Sequence, residues 1–302
     1  MPYGEVMARL AFLGTPEMAV APLRALTGAG HDVALVVTRP DKRRGRGGYT
    51  TPSPVKAAAL ELGIPVTHEL AEIAHAGVEL GVVVAYGRII PAVVLEKVPL
   101  VNLHFSLLPR WRGAAPLERA ILAGDRETGV CLMKIEEGLD TGPVYARRAI
   151  PLDDDITLQQ LRARLVELGC DLLLAALADG VDHLPAPESQ VGEPTIAERI
   201  TSEDLQLDWS QPAGQVHRVV RLGRAWTTFR GKRLTVLEAT IDVARAQPGG
   251  ALRPGAMVGA AVVTGDGVLV LGRVKPESRS PMSADEWLRG VRPENGERLG
   301  TD

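Results

Sequence analysis

Along its first two thirds the chain alternates short apolar runs with segments whose apolar residues recur at helical spacing. Residues 9–13, 32–38, 80–85 and 100–105 are dominated by Leu, Val and Ala, the pattern of strands covered on both faces. Between them, residues 16–28 and 55–62 carry a helical pattern, and Pro16 suits the first turn of a helix. Further on, the spacing predicts a helix over 116–123, strands over 129–135 and 143–150, and a long helix over 158–178 that ends at Gly180. Strands alternating with helices predict a Rossmann-like α/β domain with a mostly parallel sheet.

The pattern changes near Pro185. Pro185, Pro187 and Pro194 lie among polar residues, which reads as a linker crossing the surface. Beyond it come short β-rich runs at 226–230, 233–239, 257–264 and 268–274, with a helix near 213–222. Gly265-Asp266-Gly267 is a hairpin turn signal. The expected organisation is therefore a catalytic domain over 1–187, a linker over 188–204, and a smaller β-barrel or sandwich over 205–302. No internal repeat is evident.

Composition narrows the class. Aromatics are 4% of 302 residues, so the core is built from aliphatic side chains. Two cysteines, Cys131 and Cys170, form neither a disulfide framework nor a metal-ligand spacing. No apolar run approaches a membrane span, and the start lacks the basic and apolar regions of a signal peptide. A cytoplasmic enzyme is expected, with residues 1–6 read as an upstream extension or a misassigned start before Met7. Charge is unevenly spread. Residues 205–302 hold 14 Lys/Arg and 10 Asp/Glu, a balance of +4, while residues 1–204 hold 20 and 27, a balance of −7. A mildly basic tail suits contact with a polyanion, and charge alone equally allows a chance asymmetry on a solvated surface.

Gly14-Thr15-Pro16 sits at a strand–helix junction, but no G-x-G-x-x-G accompanies it, so a structural or substrate-facing turn is the better reading. Residues 39–49 form a basic, glycine-rich loop carrying Arg39, Lys42, Arg43, Arg44 and Arg46, either a solvated loop or a phosphate-binding one. The sharper chemistry lies at 102–113. Asn102 and His104 stand two apart on a predicted strand, so their side chains share a face. A loop containing Pro109 and ending at Gly113 leaves that strand. Asp140 sits in Gly-Leu-Asp-Thr-Gly, in a loop between two predicted strands. An amide, an imidazole and a carboxylate suffice for acyl transfer without a metal; the spacing permits Asp140 to approach His104 without requiring it. The remaining histidines show no metal pairing, and Ser106 lies too close to His104 for a nucleophile elbow.

Asn102-x-His104 followed by Ser106-Leu107-Leu108-Pro109 and Gly113, with Asp140 in its Gly-Leu-Asp-Thr-Gly, resembles the folate-dependent formyltransferases. Further stretches sharpen the likeness: Phe12 to Glu17, Gly45-Arg46-Gly47 ahead of Ser53-Pro54-Val55-Lys56, Val84 to Gly87, Arg110 to Pro116, and Met282-Ser283-Ala284. They resemble the branch of that family that acts on methionyl-tRNA, and the resemblance spans nearly the whole chain. It departs at Met18, where the family often has a bulky aromatic.

The resemblance implies an OB-like C-terminal barrel that helps hold initiator methionyl-tRNA, and 10-formyltetrahydrofolate as co-substrate. It implies Asn102, His104 and Asp140 as catalytic residues, and Ser106, Leu107, Leu108 and Pro109 with Tyr86, Gly87, Ile89 and Ile90 around the folate. It implies Arg43, Arg44 and Arg46 as contacts to the tRNA acceptor stem. No metal and a monomeric chain are expected. In the expected chemistry Asn102 and a ring N–H of His104 stabilise an oxyanion, and Asp140 carries the proton.

Overall fold

A computed structural model describes residues 7–43, 50–242, 252–294 and 296–300. The chain divides into two compact units, the first made of residues 1–116, 127–151 and 162–198, the second of 117–126, 152–161 and 199–302. Of the stretch expected to be a linker, residues 188–198 thus belong to the first unit and 199–204 to the second.

The first unit is built on a seven-stranded sheet. Across it, in order, lie Val144–Pro151, Glu127–Lys134, Leu100–His104, Leu80–Val84, Arg9–Gly14, Asp32–Val37 and Val66–Thr67. The last five of these run parallel, and the first two are antiparallel additions. The parallel strands are apolar on both faces because helices or loops cover both. Leu10, Phe12, Val82 and Leu103 are accordingly buried. The chain moves outward in one direction from Arg9–Gly14, then returns to place Leu80–Val84 on its other side, which makes the boundary between those strands a topological switch point.

Two features position the site. The long helix Leu158–Leu177 passes close beneath the strand Leu100–His104, where a Cβ on Gly169 would lie 2.8 Å from Leu103 Cδ2. Glycine there lets the helix support the strand at short range. The second feature is a parallel pair, Ile196–Ala197 with Arg112–Gly113. Strands of two residues carry no readable period, and the same holds for Val66–Thr67 and for the antiparallel pair Lys42–Arg43 and Thr50–Thr51.

The second unit is an antiparallel sheet in the order Ala225–Phe229, Lys232–Ile241, Val268–Pro276, Ala261–Val263 and Met257–Val258, with Met282–Ser283 also paired to Val268–Pro276. The run predicted at 257–264 is a tight hairpin of two strands rather than one strand. The helix Ala213–Val220 packs on this sheet through Val216 and Val220, and Phe229 meets Trp287 edge to face at 5.1 Å. Trp209 satisfies its indole N–H on Thr227 Oγ1 at 3.0 Å. A closing helix, Ala284–Val291, was not predicted. Its signal was present: Ser283 and Glu286 form a reciprocal capping box, which satisfies otherwise unpaired N–H groups at the helix start.

Candidate active site

Asn102 and His104 project from the strand Leu100–His104 onto one carboxylate. Asn102 Nδ2 lies 3.4 Å from Asp140 Oδ1, and His104 Nδ1 lies 3.6 Å from Asp140 Oδ2. The two oxygens of Asp140 are thus divided between the two strand residues. Asp140 Oδ2 also accepts the backbone N–H of Gly113 at 2.8 Å. The other ring nitrogen of His104, Nε2, faces the carbonyl oxygen of Trp111 at 2.9 Å. A carbonyl can only accept, so Nε2 carries hydrogen and Nδ1 is the nitrogen left to exchange a proton. His104 is almost wholly enclosed, and the Asp140 side chain keeps 17% exposure, an opening for a reactant.

The backbone that delivers these groups adopts unusual conformations. Asp140 has φ +50° and Trp111 φ +62°. Left-handed φ at a residue other than glycine costs on the order of 1 kcal/mol, and such residues gather at functional sites. Here each one turns a needed group inward: a carboxylate in one case, a carbonyl that anchors the imidazole in the other. The loop holding Asp140 closes where Gly142 is buried tightly against the carbonyl of Lys134, 2.0 Å from where its Cβ would stand.

The segment expected around folate divides by role. Ser106 is buried and donates its hydroxyl to Arg110 O at 2.6 Å. Leu108 packs with Cys131, Met133 and Val144, and the Leu108–Pro109 peptide is cis. Ser106 and Leu108 therefore shape the loop through its interior, while Leu107 and Pro109 are half-buried. At the switch point, Thr15 Oγ1 donates to Tyr86 O at 3.1 Å and ties the two crevice loops together. Tyr86 is buried, and among the described residues its hydroxyl meets no hydrogen-bond partner. Burial pushes that phenol up, against the opposing pull of the Arg88 and Arg39 guanidiniums, which lie near enough to act on its charge. Gly87 and Ile89 are exposed and Ile90 half-buried.

Arg43 lies on the short strand Lys42–Arg43, whereas Arg44 and Arg46 fall outside the described residues. The flank of that loop is well anchored. Ser53 caps the helix Pro54–Glu61 by accepting the Lys56 N–H, and Lys56 Nζ pairs with Asp41 Oδ2 at 2.6 Å. Among the described residues no group of three His, Cys, Asp or Glu side chains could hold a metal ion, and no helix is long and apolar enough to cross a membrane. An open hollow lined by Arg9, His31 and Asp32 lies at the amino ends of the strands Arg9–Gly14 and Asp32–Val37, away from the trio. From a stretch read as linker, Gln190 reaches the backbone carbonyl of Asp140 and Thr195 the backbone N–H of Trp111, and neither carried a sequence signal.

Comparison with known proteins gives the family and the fold. Residues 8–177 match the model of the family described as formyl transferase, and residues 199–292 match its C-terminal domain. The chain is 42% identical over 305 residues to the methionyl-tRNA formyltransferase of Roseobacter denitrificans, covering 95% of this chain and 97% of that protein. Among solved structures it is similar in fold to methionyl-tRNA formyltransferase from Clostridium thermocellum, with TM-score 0.61 and 17% identity over 79% of this chain and 96% of that one. It is also similar in fold to HypX from Aquifex aeolicus in complex with tetrahydrofolic acid, with TM-score 0.65 and 20% identity, covering 93% of this chain and 47% of that one.

Proposed function

The chain belongs to the formyl transferase family, among the methionyl-tRNA formyltransferases, and on that premise we propose that Asn102, His104 and Asp140 move the formyl group of 10-formyltetrahydrofolate to the α-amino group of initiator methionyl-tRNA. The observation that carries this reading is the division of the Asp140 carboxylate between Asn102 and His104. It brings an amide, an imidazole and a carboxylate together around one opening.

Each residue then has a distinct task. Asn102 donates an amide N–H to the formyl oxygen as negative charge builds there during attack by the amine. Losing one such donor typically costs about 3 kcal/mol of transition-state stabilisation. His104, held through Nε2–H on the Trp111 carbonyl, offers Nδ1 on the side of Asp140. Asp140 takes the proton that the attacking amine must lose, with Nδ1 as its neighbour in the relay. The same proton returns to the folate nitrogen as the carbon–nitrogen bond to it breaks, so the step is proton-neutral. The long Nδ1 to Oδ2 distance of 3.6 Å fits a pair that tightens around a reactant. This refines the expected role of His104: the Nε2–H is engaged by the loop, so Asn102 is the principal oxyanion donor.

Folate fits beside this trio. Tyr86 supplies a buried hydroxyl that meets no partner among the described residues, and Gly87 to Ile89 an exposed edge for a flat heterocycle, with Ile90, Leu107 and Pro109 as apolar wall. Arg43, Arg44 and Arg46, with the second unit, would face the tRNA phosphates. All three members of the trio come from one chain, so a monomer suffices, and a role in translation places the work in the cytoplasm.

Incubation with 10-formyltetrahydrofolate and charged initiator tRNA, followed by measurement of formylmethionine, tests the reading. Elongator methionyl-tRNA serves as the contrasting substrate. Absence of formylmethionyl-tRNA at any enzyme concentration would contradict it.

A further inference from the structure

We propose that Gln190 and Thr195 are positioning residues for the trio: a brace that holds the two strained backbone turns presenting Asp140 and Trp111, a role that rests on the transfer chemistry assigned above. Gln190 uses its whole amide. Its Nε2 donates to Asp140 O and to Gly142 O, both at 2.8 Å. Its Oε1 accepts from Arg112 Nε at 3.0 Å and from Arg112 Nη2 at 2.7 Å. One side chain therefore bridges the loop of Asp140 to the loop that follows His104.

Thr195 completes the brace. Its Oγ1 accepts the N–H of Trp111 at 2.8 Å, and its own carbonyl accepts the N–H of Arg112 at 2.9 Å. Ala197 O then accepts Ala114 N–H at 2.8 Å and Ala115 N–H at 3.2 Å. Trp111 is thereby fixed at φ +62° with its carbonyl toward His104 Nε2. Gln190 fixes Asp140, at φ +50°, in the same manner. Among the described residues neither brace residue hydrogen-bonds a side chain of the trio; each holds the backbone that carries a group of the site. Small errors in such placement are expensive, because a displacement of about 1 Å can lower a rate by about 100-fold.

The test uses the full chain with Gln190→Ala, Gln190→Glu, Thr195→Val and Thr195→Ser. Gln190→Glu keeps the shape of the side chain but sets an acceptor against two carbonyl oxygens. Expected are falls in kcat of about 10- to 100-fold for Gln190→Ala, Gln190→Glu and Thr195→Val, with both KM values within about twofold. Thr195→Ser, which keeps the hydroxyl, returns kcat to near wild type. In an Asp140→Ala background, Gln190→Ala changes the residual rate by less than about twofold, because its effect passes through Asp140. Wild-type kcat in both Gln190 variants, or a full additional loss in the Asp140→Ala background, would overturn the brace. In both cases an active wild type leaves the transfer reading standing. A wild type that makes no formylmethionyl-tRNA removes that reading and the brace with it.

Discussion

His104 gives its Nε2–H to the carbonyl oxygen of Trp111 at 2.9 Å, which leaves Nδ1 as its working nitrogen. Glutamine at 104 can place an amide N–H near that carbonyl and has nothing equivalent to Nδ1. His104→Gln should therefore fold and bind both substrates normally, while kcat falls by about two to three decades. Steady-state kinetics with each substrate varied in turn would check it; near-wild-type kcat contradicts the assignment.

Asp140 sits at φ +50°, and the proposed transfer has its carboxylate accept a proton. Asparagine accepts that backbone conformation as readily and can still accept the Gly113 N–H, but it cannot take a proton. For Asp140→Asn we expect stability within about 1 kcal/mol of wild type and activity lower by at least about two decades. Thermal midpoints and kcat measured on one preparation separate the two effects.

The neck of the Asp140 loop has no room at Gly142, where a Cβ would stand 2.0 Å from a backbone oxygen. Gly142→Ala has to move the chain. It should destabilise the protein by about 2 kcal/mol or more and lower kcat by about 100-fold through displaced geometry. Denaturant titration and kinetics below the melting range give both values.

Three arginines are assigned to tRNA and none to folate. The Arg43/Arg44/Arg46 triple alanine variant should raise the KM for tRNA and flatten its dependence on salt, by a slope of about one per lost phosphate contact. Folate affinity should not change. A selective loss of folate binding would contradict the assignment.

His217 is buried in the second unit, with Nε2 donating to Ala239 O at 3.0 Å. Burial, helped by the nearby Arg221 charge, holds its pKa below the ordinary 6.5. The unfolded chain thus binds more protons than the folded one in the interval below that value, and stability rises with pH across it. The contribution is complete above about pH 6.5 and is lost as pH falls through the folded-state value. Melting midpoints should be lower near pH 5 than near pH 7.5, and His217→Gln should shrink that difference.

Much of the site was legible because strand periodicity is local. A spacing of two puts Asn102 and His104 on one face whatever else the chain does, and the apolar runs around them identify the sheet. Asp140 was legible only as a loop residue between strands; its arrival depends on a left-handed φ and a glycine neck that sequence spacing does not specify. Trp111 was hidden for a different reason. Its contribution is a carbonyl oxygen, which any residue has. Gln190 and Thr195 sit in a polar, proline-marked stretch that looks like a surface crossing, and their partners lie 50 and 84 residues away. The helix Ala284–Val291 is the opposite case, since its capping box was readable throughout.

The brace has a consequence for when the chain becomes an enzyme as it is made. Asn102 and His104 leave the ribosome first, Asp140 follows, and Gln190 to Ala197 come last. Until that final segment emerges the sheet can assemble, but the turns at Trp111 and Asp140 lack the hydrogen bonds of Gln190 and Thr195. A fragment ending at residue 187, the expected edge of the first domain, would carry Asn102, His104 and Asp140 and lack the residues proposed to align them. If the brace acts as proposed, a working catalytic unit would have to extend to the end of the first compact unit at residue 198.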